Sequence, residues 1–142
     1  MKYFLDSAKL DEIKYAYENY GIDGVTTNPK HIKLSGKPFM TVVKDIAAWI
    51  KEEGLEGMDK FPVSFEINPH LEKWEEIVEA AKEVASYSPN YVIKIPCCEQ
   101  GLIAAREAME TKWKQDINDA AVIVADASRT REQIIQDAEP YI

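Results

Sequence analysis

A lysine stands inside a strongly apolar run, Tyr91-Val92-Ile93-Lys94-Ile95-Pro96, and that placement is the clearest chemical signal in the chain. A strand of this composition is of the buried type, so the Lys94 amine is expected among apolar walls or in a cleft. Desolvation raises the neutral, nucleophilic fraction of a lysine amine, which is what attack on a carbonyl to form an imine requires. The competing reading is a structural lysine paired with Glu66 on a neighbouring strand.

Further polar residues recur at the same kind of position. Asp6 follows the first apolar run, Thr27 and Asn28 follow the second, Glu66 lies in the third and Lys94 in the fourth. In a closed βα barrel these strand ends converge on one mouth, where active sites of such barrels are built. Each residue also has a purely structural reading. Asp6 suits a helix N-cap, Asn28-Pro29 suits a turn, and Glu66 suits an outward-pointing position on an exposed edge.

The elements that must position these residues follow from periodicity. Runs rich in Val, Ile, Tyr and Phe predict strands at Lys2 to Leu5, Gly24 to Thr27, Val63 to Ile67, Tyr91 to Ile95 and Ala120 to Ala125, with a sixth starting at Pro140. Between them, Leu10, Ile13, Tyr17 and Tyr20 share one face of a helix from Lys9 to Tyr20, with Asp6 or Ser7 as N-cap and Gly21 as stop. Further helices are expected from Pro38 to Glu53, Leu71 to Ser86, Gly101 to Trp113 and Thr130 to Ala138. Alternation of this kind predicts an α/β domain over 1–142 with a parallel sheet, either open and doubly wound or closed as a barrel. The turn after the first strand, Asp6-Ser7-Ala8, lacks the glycines of a dinucleotide-binding loop.

Composition narrows the partners. At 142 residues, 46% apolar and 30% charged, the chain has the balance of one ordinary globular domain. Its formal charge of −8, with basic residues interspersed among acids, argues against nucleic acid. The first apolar run reaches Asp6 too early for a signal peptide and no later run approaches a membrane span, so a cytoplasmic protein is expected. The only cysteines, Cys97 and Cys98, are adjacent, which precludes a disulfide framework and suits a reducing compartment.

Three segments together carry a family resemblance. They are Lys2-Tyr3-Phe4-Leu5-Asp6-Ser7-Ala8, Gly21-Ile22-Asp23-Gly24-Val25-Thr26-Thr27-Asn28-Pro29, and Val92-Ile93-Lys94-Ile95-Pro96 with Glu99-Gln100-Gly101-Leu102. In order and separation they resemble the transaldolase family, in its short fructose-6-phosphate-aldolase-like branch, over about residues 1 to 105. The resemblance implies a TIM-barrel fold and a Schiff base between a lysine and a ketose, sugar phosphate or dihydroxyacetone, with no metal and no organic cofactor. It puts Lys94 on the Schiff-base lysine, Asp6 on the acid that handles protons during carbon–carbon cleavage, Glu66 on the residue holding the catalytic water, and Asn28, with Thr27 beside it, on the substrate-positioning amide.

The pattern departs in places. Val122 aligns where the family has a water-binding threonine, and Lys30 stands where serine is usual. The chain ends where a sixth strand begins, so the resemblance implies an incomplete barrel of about five βα units. Exposed edges and interior would then call for a homo-oligomer. The alternative to an enzyme is a catalytically degenerate relative acting as an oligomeric binding or structural protein.

Overall fold

The computed structural model describes residues 1–110 and the strand 121–124. The elements run β1 (Phe4–Asp6), α1 (Leu10–Tyr20), β2 (Gly24–Thr26), α2 (Pro29–Ser35), α3 (Phe39–Glu52), β3 (Val63–Glu66), α4 (Trp74–Ala85), β4 (Tyr91–Ile95), α5 (Glu99–Glu110) and β5 (Ala121–Val124). All strand pairs are parallel, and the sheet order β1-β2-β3-β4-β5 follows the chain. A doubly wound sheet reverses its strand order at a switch point; this one advances steadily, as a barrel wall does. Among the described residues the sheet is not closed, and β1 and β5 each have one neighbour.

The two faces of the sheet differ in chemistry. Val25, Val63, Phe65, Tyr91, Ile93 and Ile95 are all at most 1% exposed and form the core with Val42, Val43, Ile46 and Ile50 of α3 and Ile77, Ala81 and Val84 of α4. The Tyr91 hydroxyl donates to the Val43 carbonyl, and burial holds it protonated, well above the usual tyrosine range. Tyr17, Trp49 and Phe61 meet edge to face at 5.5–5.9 Å and tie α1 and α3 to the segment leading into β3. The other face carries Phe4, Asp6, Thr26, Ser64, Glu66 and Lys94, as the pairing register requires, and at its rim Phe4 is 48% exposed.

Element boundaries shift from expectation for physical reasons. Helix α1 begins at Leu10 with Lys9 as N-cap, so Asp6 and Ser7 are not the cap. Asp6 ends β1 instead, while the Ser7 hydroxyl accepts from the Lys9 N–H at 3.1 Å and donates to Glu12 at 2.6 Å. Helix α4 starts at Trp74, three residues after the expected Leu71, and its first N–H is accepted by Gln100 of α5 at 3.0 Å. That cap comes from 26 residues away, beyond any local signal. The expected helix at Thr130 to Ala138 and the sixth strand at Pro140 lie outside the described residues, as do residues 111 to 113 of the predicted fourth helix.

Helix α2 occupies a stretch where the sequence reading gives only the Asn28-Pro29 turn. Asn28 is its N-cap, accepting from the His31 N–H at 3.0 Å, Pro29 occupies the first turn, and Gly36 closes it in the left-handed region at φ 70°. Asparagine, then proline, then a glycine stop is a helix signal as well as a turn signal.

One glycine sets how closely α5 meets β4. A Cβ on Gly101 would stand 2.0 Å from the Pro96 carbonyl oxygen, on the turn that leaves the Lys94 strand. Gly101→Ala gains up to ~1 kcal/mol of helix propensity, but a backbone clash this deep outweighs it. A net loss of about 1–3 kcal/mol is expected from overpacking, read as a lower urea midpoint with unchanged slope.

Candidate active site

Lys94 and Glu66 are register partners on adjacent strands, so both side chains leave the same face. Lys94 Nζ lies 3.4 Å from Glu66 Oε2, with the lysine side chain 21% exposed and the glutamate fully buried. Of the expected settings for the amine, apolar walls, a cleft or a pairing with Glu66, the structure shows the carboxylate neighbour, and the outward, solvent-facing reading of Glu66 is corrected, because that carboxylate is buried and faces Lys94. The Lys94 carbonyl also accepts from the Ile67 N–H at 2.8 Å, which fixes the end of β3 against β4.

A second cluster sits across β1 and β2. Asp6 is in register with Thr26, whose hydroxyl donates to Asp6 Oδ1 at 2.9 Å. On the other oxygen, His31 Nε2 lies 2.9 Å from Oδ2. The two clusters share one face. Register runs Asp6 to Thr26 to Ser64, and two residues along β3 comes Glu66 beside Lys94.

The two loop residues of the second strand have different places. The Asn28 side chain caps α2 through its carbonyl oxygen at the rim of this face. Thr27 is 2% exposed and its hydroxyl donates to the Ser64 carbonyl at 2.6 Å, so it ties β2 to β3, and the threonine hydroxyl on the site face is that of Thr26. For the fifth strand, register pairs Val122 with Ile93 and Ile123 with Lys94, one place from the position aligned to the family's threonine. Cys97 and Cys98 are unbridged and partly buried on the turn after β4.

His31 is the site residue that sequence reasoning missed. Once Asn28 and Pro29 are taken as a helix start, His31 falls in the first turn, where side chains tilt back toward the N-terminus and hence toward the strand ends. Among the described residues, no group of three or more His, Cys, Asp or Glu is arranged to hold a metal, and no helix is long and apolar enough to cross a membrane.

Fold and face thus define a βα sheet of the barrel-wall kind with a lysine–carboxylate pair and an aspartate cluster on its inner side. A family model for transaldolase/fructose-6-phosphate aldolase matches residues 3–118, and the chain belongs to that family. It is 59% identical over 107 residues to 6-deoxy-6-sulfo-D-fructose transaldolase of Priestia megaterium, covering 75% of this chain and 45% of the relative. A probable transaldolase of Bdellovibrio bacteriovorus is 42% identical over 117 residues, covering 82% and 49%. One from Dictyoglomus turgidum is 40% identical over 117 residues, covering 82% and 50%. The chain spans about half the length of the curated relatives it matches.

Proposed function

We propose that the chain carries the imine-forming part of a transaldolase-type active site, with Lys94 as nucleophile. The observation that carries this reading is the Lys94–Glu66 pair on the inner face, with a carboxylate 3.4 Å from the amine. An ammonium must lose a proton before it can attack, and Glu66 is placed to accept that proton. The neutral amine adds to the ketone carbon of the donor sugar, and the proton returned to the carbinolamine hydroxyl lets water leave, giving the cationic imine.

Asp6 then takes the proton from the hydroxyl on the far carbon of the bond that breaks, the carbon that becomes the aldehyde. The carbon–carbon electron pair moves into the imine and an aldehyde departs, leaving a three-carbon enamine on Lys94. Addition of the enamine to an acceptor aldehyde is transfer; its protonation and hydrolysis is simple cleavage. Asn28 and Thr27 remain in this reading as the loop that orders substrate hydroxyls, Asn28 by contact and Thr27 by fixing the strand end. The donor is a ketose with a dihydroxyacetone unit. The sulfofructose in the Priestia megaterium relative's name and the fructose 6-phosphate in the family's support a ketohexose bearing an anionic group at the far end, a sulfonate or a phosphate. Neither a metal nor an organic cofactor enters these steps. Homo-oligomerisation belongs to the same reading, since among the described residues β1 pairs on one side only, and a compact monomer in sedimentation would count against it.

The test is borohydride trapping with dihydroxyacetone, fructose 6-phosphate and 6-deoxy-6-sulfofructose, read by peptide mass spectrometry. A reduced three-carbon adduct on the peptide containing Lys94 is expected with at least one donor. No adduct with any of the three would favour the second reading, in which the Lys94–Glu66 pair is a structural ion pair of a binding protein.

A further inference from the structure

The Asp6 carboxylate is held at both oxygens. Thr26 Oγ1 donates to one, and His31 Nε2 lies 2.9 Å from the other. His31 is itself anchored, because its backbone N–H donates to Asn28 Oδ1 at 3.0 Å. One asparagine therefore starts α2 and fixes the residue whose ring reaches Asp6. The imidazole is the more sheltered partner, 22% exposed against 61% for the Asp6 side chain, so the carboxylate keeps an open side for a substrate. Nothing in the imine chemistry of Lys94 calls for an imidazole at this place.

We propose that His31 is a positioning residue for Asp6: its Nε2–H donates to Oδ2, holds the carboxylate in one rotamer, and aims its remaining lone pairs at the substrate hydroxyl. This rests on the reading of Asp6 as the group that takes the proton when the carbon–carbon bond breaks. A carboxylate on a short side chain with 61% exposure would otherwise sample several rotamers, and proton transfer is sensitive to placement. Thr26 alone restrains one oxygen and leaves rotation about the carboxyl group open. Two donors from two different elements, β2 and α2, remove that freedom. The imidazole keeps its own proton throughout, and the substrate proton resides on Asp6.

The experiment uses the full chain as parent, His31→Leu and His31→Gln, comparing borohydride trapping at Lys94 with steady-state cleavage of a ketohexose donor. His31→Leu is expected to trap the imine as the parent does, while kcat for cleavage falls by about 10- to 100-fold, as for loss of a group that orients a reacting one. KM is expected to change little. His31→Gln supplies an amide N–H and is expected to recover most of the lost kcat, which a merely structural histidine would not show. A parental kcat in His31→Leu, or a glutamine variant as slow as the leucine one, would overturn the proposal. Should the parent fail to trap with any donor, the imine reading falls separately, and the imidazole tautomer then decides for His31. Nitrogen-15 spectra of the parent are expected to show the Nε2–H form, with the preference lost in Asp6→Ala. The Nδ1–H form in the parent, or no change in Asp6→Ala, would overturn the positioning role.

Discussion

Lys94→Met is expected to abolish the borohydride adduct, to lower turnover by on the order of 10³-fold or more as loss of a covalent nucleophile does, and also to destabilise the fold. The second effect separates a nucleophile merely exposed in a cleft from one built into a pair. Glu66 is fully buried, and Lys94 Nζ stands 3.4 Å from it. At an effective dielectric of about 20, charges at that distance attract by roughly 5 kcal/mol, a gain offset in large part by desolvation of both groups. The pair is therefore worth little net, but removing the lysine takes away the positive charge 3.4 Å from the buried Glu66 carboxylate. Breaking a fully buried pair typically costs about 3–5 kcal/mol. Here the lysine is 21% exposed, so water already screens it, and about 2–3 kcal/mol is the fitting expectation.

The sign is checked by adding Glu66→Gln to Lys94→Met. The amide has no charge to strand, so the double variant is expected to regain at least half of the lost stability in urea at pH 7. Equal midpoints for the two variants would show that the pair is not a unit. An adduct persisting in Lys94→Met would show that another lysine reacts.

How far the sequence reached is visible in these residues. β4 was legible to the residue, since Tyr91 to Ile95 is an apolar run closed by Pro96, and the observed strand has those bounds. Lys94 stood out for the same reason: a charge inside such a run has few places to go. The sequence could name Glu66 as a possible partner but not its burial, which depends on the sheet face that β3 presents. β1 lay two residues later than expected at its start because its register is fixed by pairing Phe4 with Gly24, where a Cβ would meet the Phe4 ring at 2.5 Å. Local hydrophobicity carries no trace of that contact. His31 escapes sequence reasoning because Asn28-Pro29 suits a turn as well as a helix start, and only helix α2 brings its ring to Asp6. Long-range polar contacts were the least legible class. Gln100 on the first N–H of α4 is one example, and Asn90 is the larger one.

Asn90→Ala is expected to be among the most destabilising single substitutions in the chain, at about 3–4 kcal/mol, from buried hydrogen bonds lost together. Asn90 is 0% exposed, one residue before β4. Its Nδ2 donates to the carbonyls of Leu55 at 2.7 Å and Phe61 at 2.8 Å, and its Oδ1 accepts from the Gly57 N–H at 2.7 Å. These partners lie 29 to 35 residues away, all in the segment between α3 and β3. One amide thus supplies the polar groups that this segment would otherwise bury unpaired. Each stranded group costs about 1–3 kcal/mol, and water entering the space left by the side chain offsets part of the total. Asn90→Asp discriminates shape from hydrogen bonding. It keeps the volume and the acceptor for Gly57 but sets a carboxylate against two carbonyl oxygens, so it is expected to be at least as damaging as alanine at neutral pH and milder in acid, where a protonated carboxyl can donate to one of them. Because the segment feeds β3, which carries Glu66, and Asn90 itself feeds β4, which carries Lys94, both variants are expected to slow borohydride trapping. Hydrogen exchange at Gly57, measured beside the urea midpoint, is expected to accelerate in both; protection at parental levels with a midpoint shift below about 1 kcal/mol would mean that the segment is held by the Tyr17, Trp49 and Phe61 cluster and not by Asn90.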